Sequence, residues 1–142
     1  MDHQEEALKA YIGLLRSSSH LEQVAKQDVR CYGLNLTEFS VLELLYHKGT
    51  HTTQAIKEKI LIASSSTTYV IDQLVKKSCV HRETSQKDQR ITYVSLTDKG
   101  AELMDQIFPT HAKKIAASFA SLTIEELQTL KSLLRKITYN EK

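Results

Sequence analysis

Between Ala63 and Gly100 the chain sets out side chains suited to reversible hydrogen bonding: Ser64, Ser65, Ser66, Thr68, Tyr69 and Gln73, then Lys87, Asp88 and Arg90. Hydroxyl and amide groups donate to and accept from nucleic-acid base edges, and small hydroxyl residues let a helix come close to them. Arg90 follows Asp88 by two residues, a spacing at which a carboxylate can hold a guanidinium in one orientation. An oriented arginine on a protruding turn suits the electronegative minor groove of a duplex. From Lys76 to Arg90 there are five basic residues and two acidic ones, a larger excess than the +2 of the whole chain. The remainder is therefore slightly acidic, and positive charge is concentrated beside the hydroxyl-rich segment, as phosphate contact requires.

Other chemistries lack their parts. No glycine-rich phosphate loop is visible, and the Ser64–Ser66 cluster has no nearby His/Asp arrangement to activate a nucleophile. No catalytic, cofactor or metal site is expected. His47 and His51 are four apart, but Gly49 between them marks a turn, so they read as solvated loop histidines, and His111 is read in the same way. Two cysteines, Cys31 and Cys79, are too few for a disulfide framework or a zinc motif. Cys79 occupies an apolar-looking position and is expected to be buried, whereas Cys31, beside Arg30 and near a helix end, is the redox candidate.

The elements that would position these groups follow from periodicity. From Ser66 onward, Val70, Ile71, Leu74 and Val75 form an apolar stripe at helical spacing, with the hydroxyl residues on the other face. The serines at 64–66 suit a helix start. Val80-His81-Arg82-Glu83 and Ile91–Leu96 alternate apolar and polar residues around a charged turn, which reads as a hairpin wing. Upstream, a helix is expected over Gln4–Tyr32, ended by Gly33. Asn35 with Glu38 forms a capping box for a helix over Leu36–His47. A turn at Lys48–His51 leads to a short helix, Thr53–Ile60, supporting the recognition helix. Downstream, Thr97 caps a long helix that Pro109 should kink or interrupt near Phe108. Thr123 with Glu126 opens a last helix whose Leu127, Leu130, Leu134 and Ile137 repeat at spacings of three and four.

The expected fold is mainly α with a small β-hairpin wing. A winged helix-turn-helix domain over residues 34–100 lies between dimerisation helices at 1–33 and 101–142. The apolar stripes of the terminal helices need a partner, and the same stripe on a second copy is the simplest, because two-fold dimers are the commonest oligomers. Two recognition helices so related would meet successive major grooves about 34 Å apart on a palindromic site.

Asp88-Gln89-Arg90 followed by Leu96-Thr97-Asp98-Lys99-Gly100 resembles the wing-to-helix signature of the MarR family of bacterial winged helix-turn-helix regulators. Leu74-Val75-Lys76-Lys77-Ser78-Cys79-Val80-His81-Arg82 is similar to that family's recognition-helix exit, and Tyr32–Leu42 to the start of its first DNA-binding-domain helix. The resemblance spans nearly all 142 residues. Leu61–Ser66 and Thr68-Tyr69-Val70 look most like the MhqR-like branch, associated with quinone and aromatic-compound resistance. Two departures stand out. Ser78 occupies the place of a glycine that usually ends the recognition helix, which puts its left-handed cap in question, and Gln89 replaces a second wing arginine.

The resemblance implies a homodimer and ligands lodged between the winged domain and the dimerising helices, where Ile12, Arg16, His20 and Met104 are candidates. Some members sense oxidants or electrophiles through cysteine, the role in view for Cys31. Length and composition, 142 residues with 41% hydrophobic and 25% charged, fit one ordinary globular domain with extensions. No apolar run approaches the roughly 20 residues of a membrane span. The acidic start, Met1–Glu6, is unlike a signal peptide, so a cytoplasmic location is expected.

Together these features describe a homodimeric, sequence-specific regulator of transcription on double-stranded DNA, a repressor released by a small aromatic or quinone-type effector or by thiol modification. Ser64, Ser65, Ser66, Thr68, Tyr69 and Gln73 would meet bases or adjacent phosphates. Arg90 would enter the minor groove, Asp88 would orient it, and Lys87 and Thr53 would contact the DNA backbone. The alternatives are a winged module used only for protein contacts, an activator, or a metal-responsive regulator.

Overall fold

Asparagine, threonine and aspartate at helix starts punctuate a chain whose remaining turns fall at a few glycines and polar runs. The computed structural model describes residues 2–60 and 66–139. Among these, the elements run α1 (His3–Arg30), α2 (Leu36–Lys48), β1 (His51–Thr52), α3 (Thr53–Lys59), α4 (Thr67–Lys76), β2 (Val80–Thr84), β3 (Thr92–Leu96), α5 (Asp98–Ser118) and α6 (Ile124–Tyr139). No described helix is long and apolar enough to cross a membrane.

Caps explain most boundaries. Asp2 accepts from the Glu5 amide at 2.8 Å to start α1, which ends at Arg30, two residues before the expected Tyr32, ahead of Gly33 at φ +75°. Asn35 and Glu38 form the reciprocal capping box at 2.8 and 3.0 Å, satisfying two amides that the first turn of α2 would otherwise leave orphaned. Thr52 caps α3 through the Ala55 amide at 3.0 Å, and Thr123 with Glu126 forms a second box before α6 at 2.9 and 3.1 Å. Ser66 is the N-cap of α4, but its side chain makes no capping bond. Ser64 and Ser65 lie outside the described residues.

The wing is a three-stranded antiparallel sheet in the order β1-β3-β2. In it Val80 faces Leu96 and Thr84 faces Thr92. The extra strand corrects the expected turn at Lys48–His51: His51 pairs with Val94 and Thr52 with Tyr93. Two residues are too short a run to show alternation, so this strand has no sequence signature of its own. Leu42, Ile56, Ile71, Leu74, Val94, Met104 and Ile107 are almost wholly buried and belong to one core shared by α2, α3, α4, β3 and α5. Val75, expected in the buried stripe of α4, is instead 37% exposed.

Helix α5 carries two corrections. Pro109 does not interrupt it. Packing holds both sides of the proline: Tyr46 donates to Asp105 at 2.6 Å, the Phe108 ring lies 4.6 Å from the His47 ring, and Ile107 and His111 are buried. These contacts offset the single backbone bond that proline removes. His111 is not a solvated histidine. It is 7% exposed, within 3.0 Å of the Asp28 carboxylate, and its ring centroid lies 4.6 Å from that of Phe39.

At the exit of α4 the chain turns through Ser78, whose φ of +64° is the one positive value among described residues other than glycine. The left-handed cap therefore forms without glycine. The Ser78 amide donates to the Val75 carbonyl at 2.9 Å and the Cys79 amide to that of Leu74 at 3.0 Å, the pairing of a Schellman turn. Thr97 then ties α5 to the same turn: its hydroxyl donates to the Ser78 carbonyl at 2.6 Å and its amide to the Cys79 carbonyl at 3.0 Å. Gly100 packs so closely that a Cβ there would lie 2.1 Å from the Cys79 carbonyl oxygen.

Two substitutions should therefore act in opposite directions in urea denaturation. Ser78→Gly should stabilise the fold by about 1 kcal/mol through relief of the left-handed conformation. Gly100→Ala should destabilise it by about 2–3 kcal/mol, because a backbone carbonyl cannot move aside as a side chain can. A neutral Gly100→Ala variant would refute this close approach.

Candidate nucleic-acid interface

The buried side of α4 is made by Val70, Ile71 and Leu74, which leaves Ser66, Thr68 and Tyr69 exposed. Tyr69 is 60% exposed, and Gln73 is half-buried on the same helix. Beside this face opens a cleft of about 660 Å³, lined by Thr52, Thr53 and Gln54 of β1 and α3, Thr68 and Asp72 of α4, and Arg82, Arg90, Ile91 and Thr92 of the wing. Thus Thr53, Thr68 and Arg90, far apart in sequence, border one concavity. The Thr53 hydroxyl also donates to the Thr92 carbonyl at 3.5 Å, which ties α3 to the wing.

Arg90 is held on three sides by one carboxylate. Its Nε donates to Asp88 Oδ1 at 3.0 Å, its Nη2 to Oδ2 at 3.1 Å, and its backbone amide to Oδ1 at 3.0 Å. The guanidinium side chain nevertheless remains 90% exposed. A planar, bidentate pair fixes direction without withdrawing the cation from solvent. Those bonds lower the Asp88 pKa, the side-chain bonds from Arg90 first and its backbone amide second. Lys87 is exposed on the same turn.

Sequence reasoning missed three groups here. Ser85 organises the wing tip: its hydroxyl oxygen accepts from the amides of Lys87 and Asp88 at 3.2 and 3.3 Å. A serine heading a polar turn was the available signal. Arg82 ion-pairs with Asp72 and donates to the Thr68 carbonyl at 3.4 Å, which fastens β2 to α4. Lys77, just past α4, donates to both oxygens of buried Glu38 at 2.9 and 2.8 Å and to the Gly33 carbonyl at 2.9 Å. Glu38 therefore serves both the α2 cap and the exit of the recognition helix. No local pattern could have paired residues 39 positions apart.

The remaining candidates are more scattered. Ile12 is 46% exposed, and Arg16 and His20 are exposed on the same helix, whereas Met104 is wholly buried in the core. His20 borders a cavity of about 470 Å³ with Val24, Gln27, Asp28, Lys114, Ala117 and Ser118. Cys31 is an exposed free thiol whose S–H donates to the Gln27 carbonyl at 3.8 Å. Cys79 is buried, and burial pushes its thiol pKa up, with Lys99 and Lys77 opposing. His47 is exposed on α2, and His51 binds the Gly49 carbonyl through Nδ1 at 2.7 Å in β1.

Comparison with known proteins agrees with this geometry. The MarR family model matches residues 34–92. The chain is 41% identical over 138 residues to the HTH-type transcriptional regulator MhqR of Bacillus subtilis, covering 97% of this chain and 95% of that one. It is 40% identical over 132 residues to the uncharacterized HTH-type transcriptional regulator YkoM of the same organism, covering 93% and 86%. In three dimensions it is similar to a MarR family transcriptional regulator from Streptomyces coelicolor solved in complex with DNA. That match has a TM-score of 0.86 and 20% identity, covering 100% of this chain and 94% of that one, a likeness of fold.

The Asp88–Arg90 pair has a pH signature. A carboxylate whose folded pKa is depressed contributes stability above the ordinary carboxylate range and loses it only as pH falls through the lower folded value. Titration followed by carboxyl-carbon NMR should place the Asp88 midpoint below that of an ordinary aspartate, and Arg90→Ala should move it upward. Coincident midpoints would show that the pair does not persist in solution.

Proposed function

The chain belongs to the MarR family of transcriptional regulators, and from that premise we propose that it is a homodimeric repressor binding a palindromic operator. The observation that carries this reading is the shared border of the exposed α4 face and the Asp88-steadied Arg90 on one cleft. A duplex laid along that border meets hydroxyl and amide groups of Ser66, Thr68, Tyr69 and Gln73 in its major groove; Ser64 and Ser65, which lie outside the described residues, keep the base- or phosphate-contact role proposed from the sequence. Arg90 reaches the adjoining minor groove, and Lys87 and Thr53 meet phosphates.

Dimerisation is supported by what the protomer leaves uncovered. Leu8, Tyr11, Ile12 and Leu15 on α1 and Leu133, Leu134 and Ile137 on α6 are each at least 39% exposed. Exposed apolar residues at helical spacing on each of two terminal helices call for a partner, and a second copy would supply the same stripes. The chain thus divides into an N-terminal dimerisation helix (1–33), a DNA-binding domain (34–100) and C-terminal dimerisation helices (101–142). Release comes from a small aromatic or quinone-type compound held between the winged domain and the dimerising helices, or from modification of Cys31.

Selection of duplexes from random DNA, followed by anisotropy titration, tests this. Binding should weaken steeply with salt. Arg90→Ala should weaken it roughly tenfold to a hundredfold while sedimentation still reports a dimer. Unchanged affinity would remove Arg90 from the interface, and failure to bind any duplex at low salt would leave a protein-contact module.

Addition of quinones and phenols to the wild-type complex and to Cys31→Ser then separates the two release routes. A response that survives the substitution points to a non-covalent pocket. A lost response points to thiol chemistry.

A further inference from the structure

Three polar or charged side chains are buried among the described residues: Asp28, Glu38 and His111. Glu38 is accounted for by the α2 cap and Lys77. The other two meet each other where α1, α5 and α2 converge. Asp28 is 2% exposed, and its oxygens are divided between two groups of α5: Oδ2 lies 3.0 Å from His111 Nδ1 and Oδ1 lies 3.1 Å from Lys114 Nζ. Across from Asp28, the His111 ring packs against Phe39 of α2, the residue after Glu38. Dimerising helix, long connecting helix and winged body are thus joined at one ionic cluster.

Stability alone does not call for charge at this place, since burying a carboxylate costs desolvation that an apolar residue of similar size avoids. An apolar seam, however, tolerates rotation and sliding of one helix on another. Two directional bonds from one carboxylate to residues three apart on α5 fix both its rotation and its register. That precision matters at a distance. Between Asp28 and the start of α1 at His3 the helix extends about 37 Å, so a turn of about 5° at the cluster shifts its far end by about 3 Å, close to one base-pair step.

We propose that Asp28, with His111 and Lys114, is a positioning group that sets the angle between the winged body and the dimerising arm, and so selects the half-site spacing that the protein accepts. This rests on the dimeric DNA-binding reading above. The specificity it confers is for the distance between half-sites and not for their bases.

The test uses the full-length chain and duplexes carrying two inverted copies of the half-site selected by the wild type, with the spacer lengthened or shortened by one or two base pairs. At low salt the wild type should lose about tenfold in affinity for each base pair away from its optimum, the size of an ordinary mismatch penalty. An Asp28→Leu, His111→Leu double variant should stay folded and dimeric while its affinities across the series differ by less than about threefold. Asp28→Asn, which keeps the shape and removes the charge, serves if the double variant does not fold. It should flatten the series in the same direction. A variant that retains the tenfold steps, or loses the same factor at every spacing, would overturn the proposal by showing a purely structural role. Failure of the wild type to select any DNA would overturn the DNA-binding reading itself, and the spacing role with it.

Discussion

The end of α4, the start of the wing and the start of α5 meet at two consecutive peptide units, Ser78 and Cys79. The recognition helix ends in their amides, the wing starts from Cys79 through β2, and Thr97 brings the next helix back onto their carbonyls. Backbone groups at such a crossing must find partners, and here the two amides find theirs in the last turn of α4 and the two carbonyls find theirs in Thr97. The geometry is correspondingly exacting. It requires a left-handed residue at 78 and a missing side chain at 100. The serine accepts a strained conformation in which glycine would rest more easily, and the surrounding bonds hold it there.

The candidate interface borrows its order from this crossing and adds its own. Arg82 fastens the wing to α4 through Asp72, Ser85 shapes the wing tip, and Asp88 aims Arg90. In each case a short polar side chain is spent on orienting a longer neighbour or a loop, and the exposed cations are few. That economy agrees with a net charge of only +2: positive charge is gathered beside the cleft and not spread over the molecule.

Sequence alone revealed the parts of this structure that depend on near neighbours. Asn35 with Glu38 and Thr123 with Glu126 announced their caps at a separation of three residues. Asp88 and Arg90 declared their pairing at two. The stripe of Val70, Ile71 and Leu74 located the buried side of α4, and Ser78 was recognisable as a departure at a turn. Hidden from that reading was whatever long-range packing decides. Nothing near Lys77 points to Glu38, and nothing near His111 points to Asp28, since 83 residues separate them. The two-residue strand β1 exists only because β3 offers it an edge. Pro109 was judged by its local rule, yet contacts from α1 and α2 on both sides of it keep α5 continuous. The candidate site divides along the same line: Thr68 and Arg90 were legible from their own segments, whereas the clamps that orient the wing against the helix were not.

Sulfur sits in the middle of the crossing. Cys79 is covered on all sides, its S–H leans on the Lys77 carbonyl at 3.7 Å, and burial raises its pKa. Burial thus disfavours the ionised form, which is the form that oxidants and carbon electrophiles attack. The crossing of α4, the wing and α5 is therefore guarded against thiol chemistry. Cys31, at the end of α1, is the exposed one of the two thiols, so the fold offers one sulfur to solvent and keeps the sulfur at this crossing out of reach.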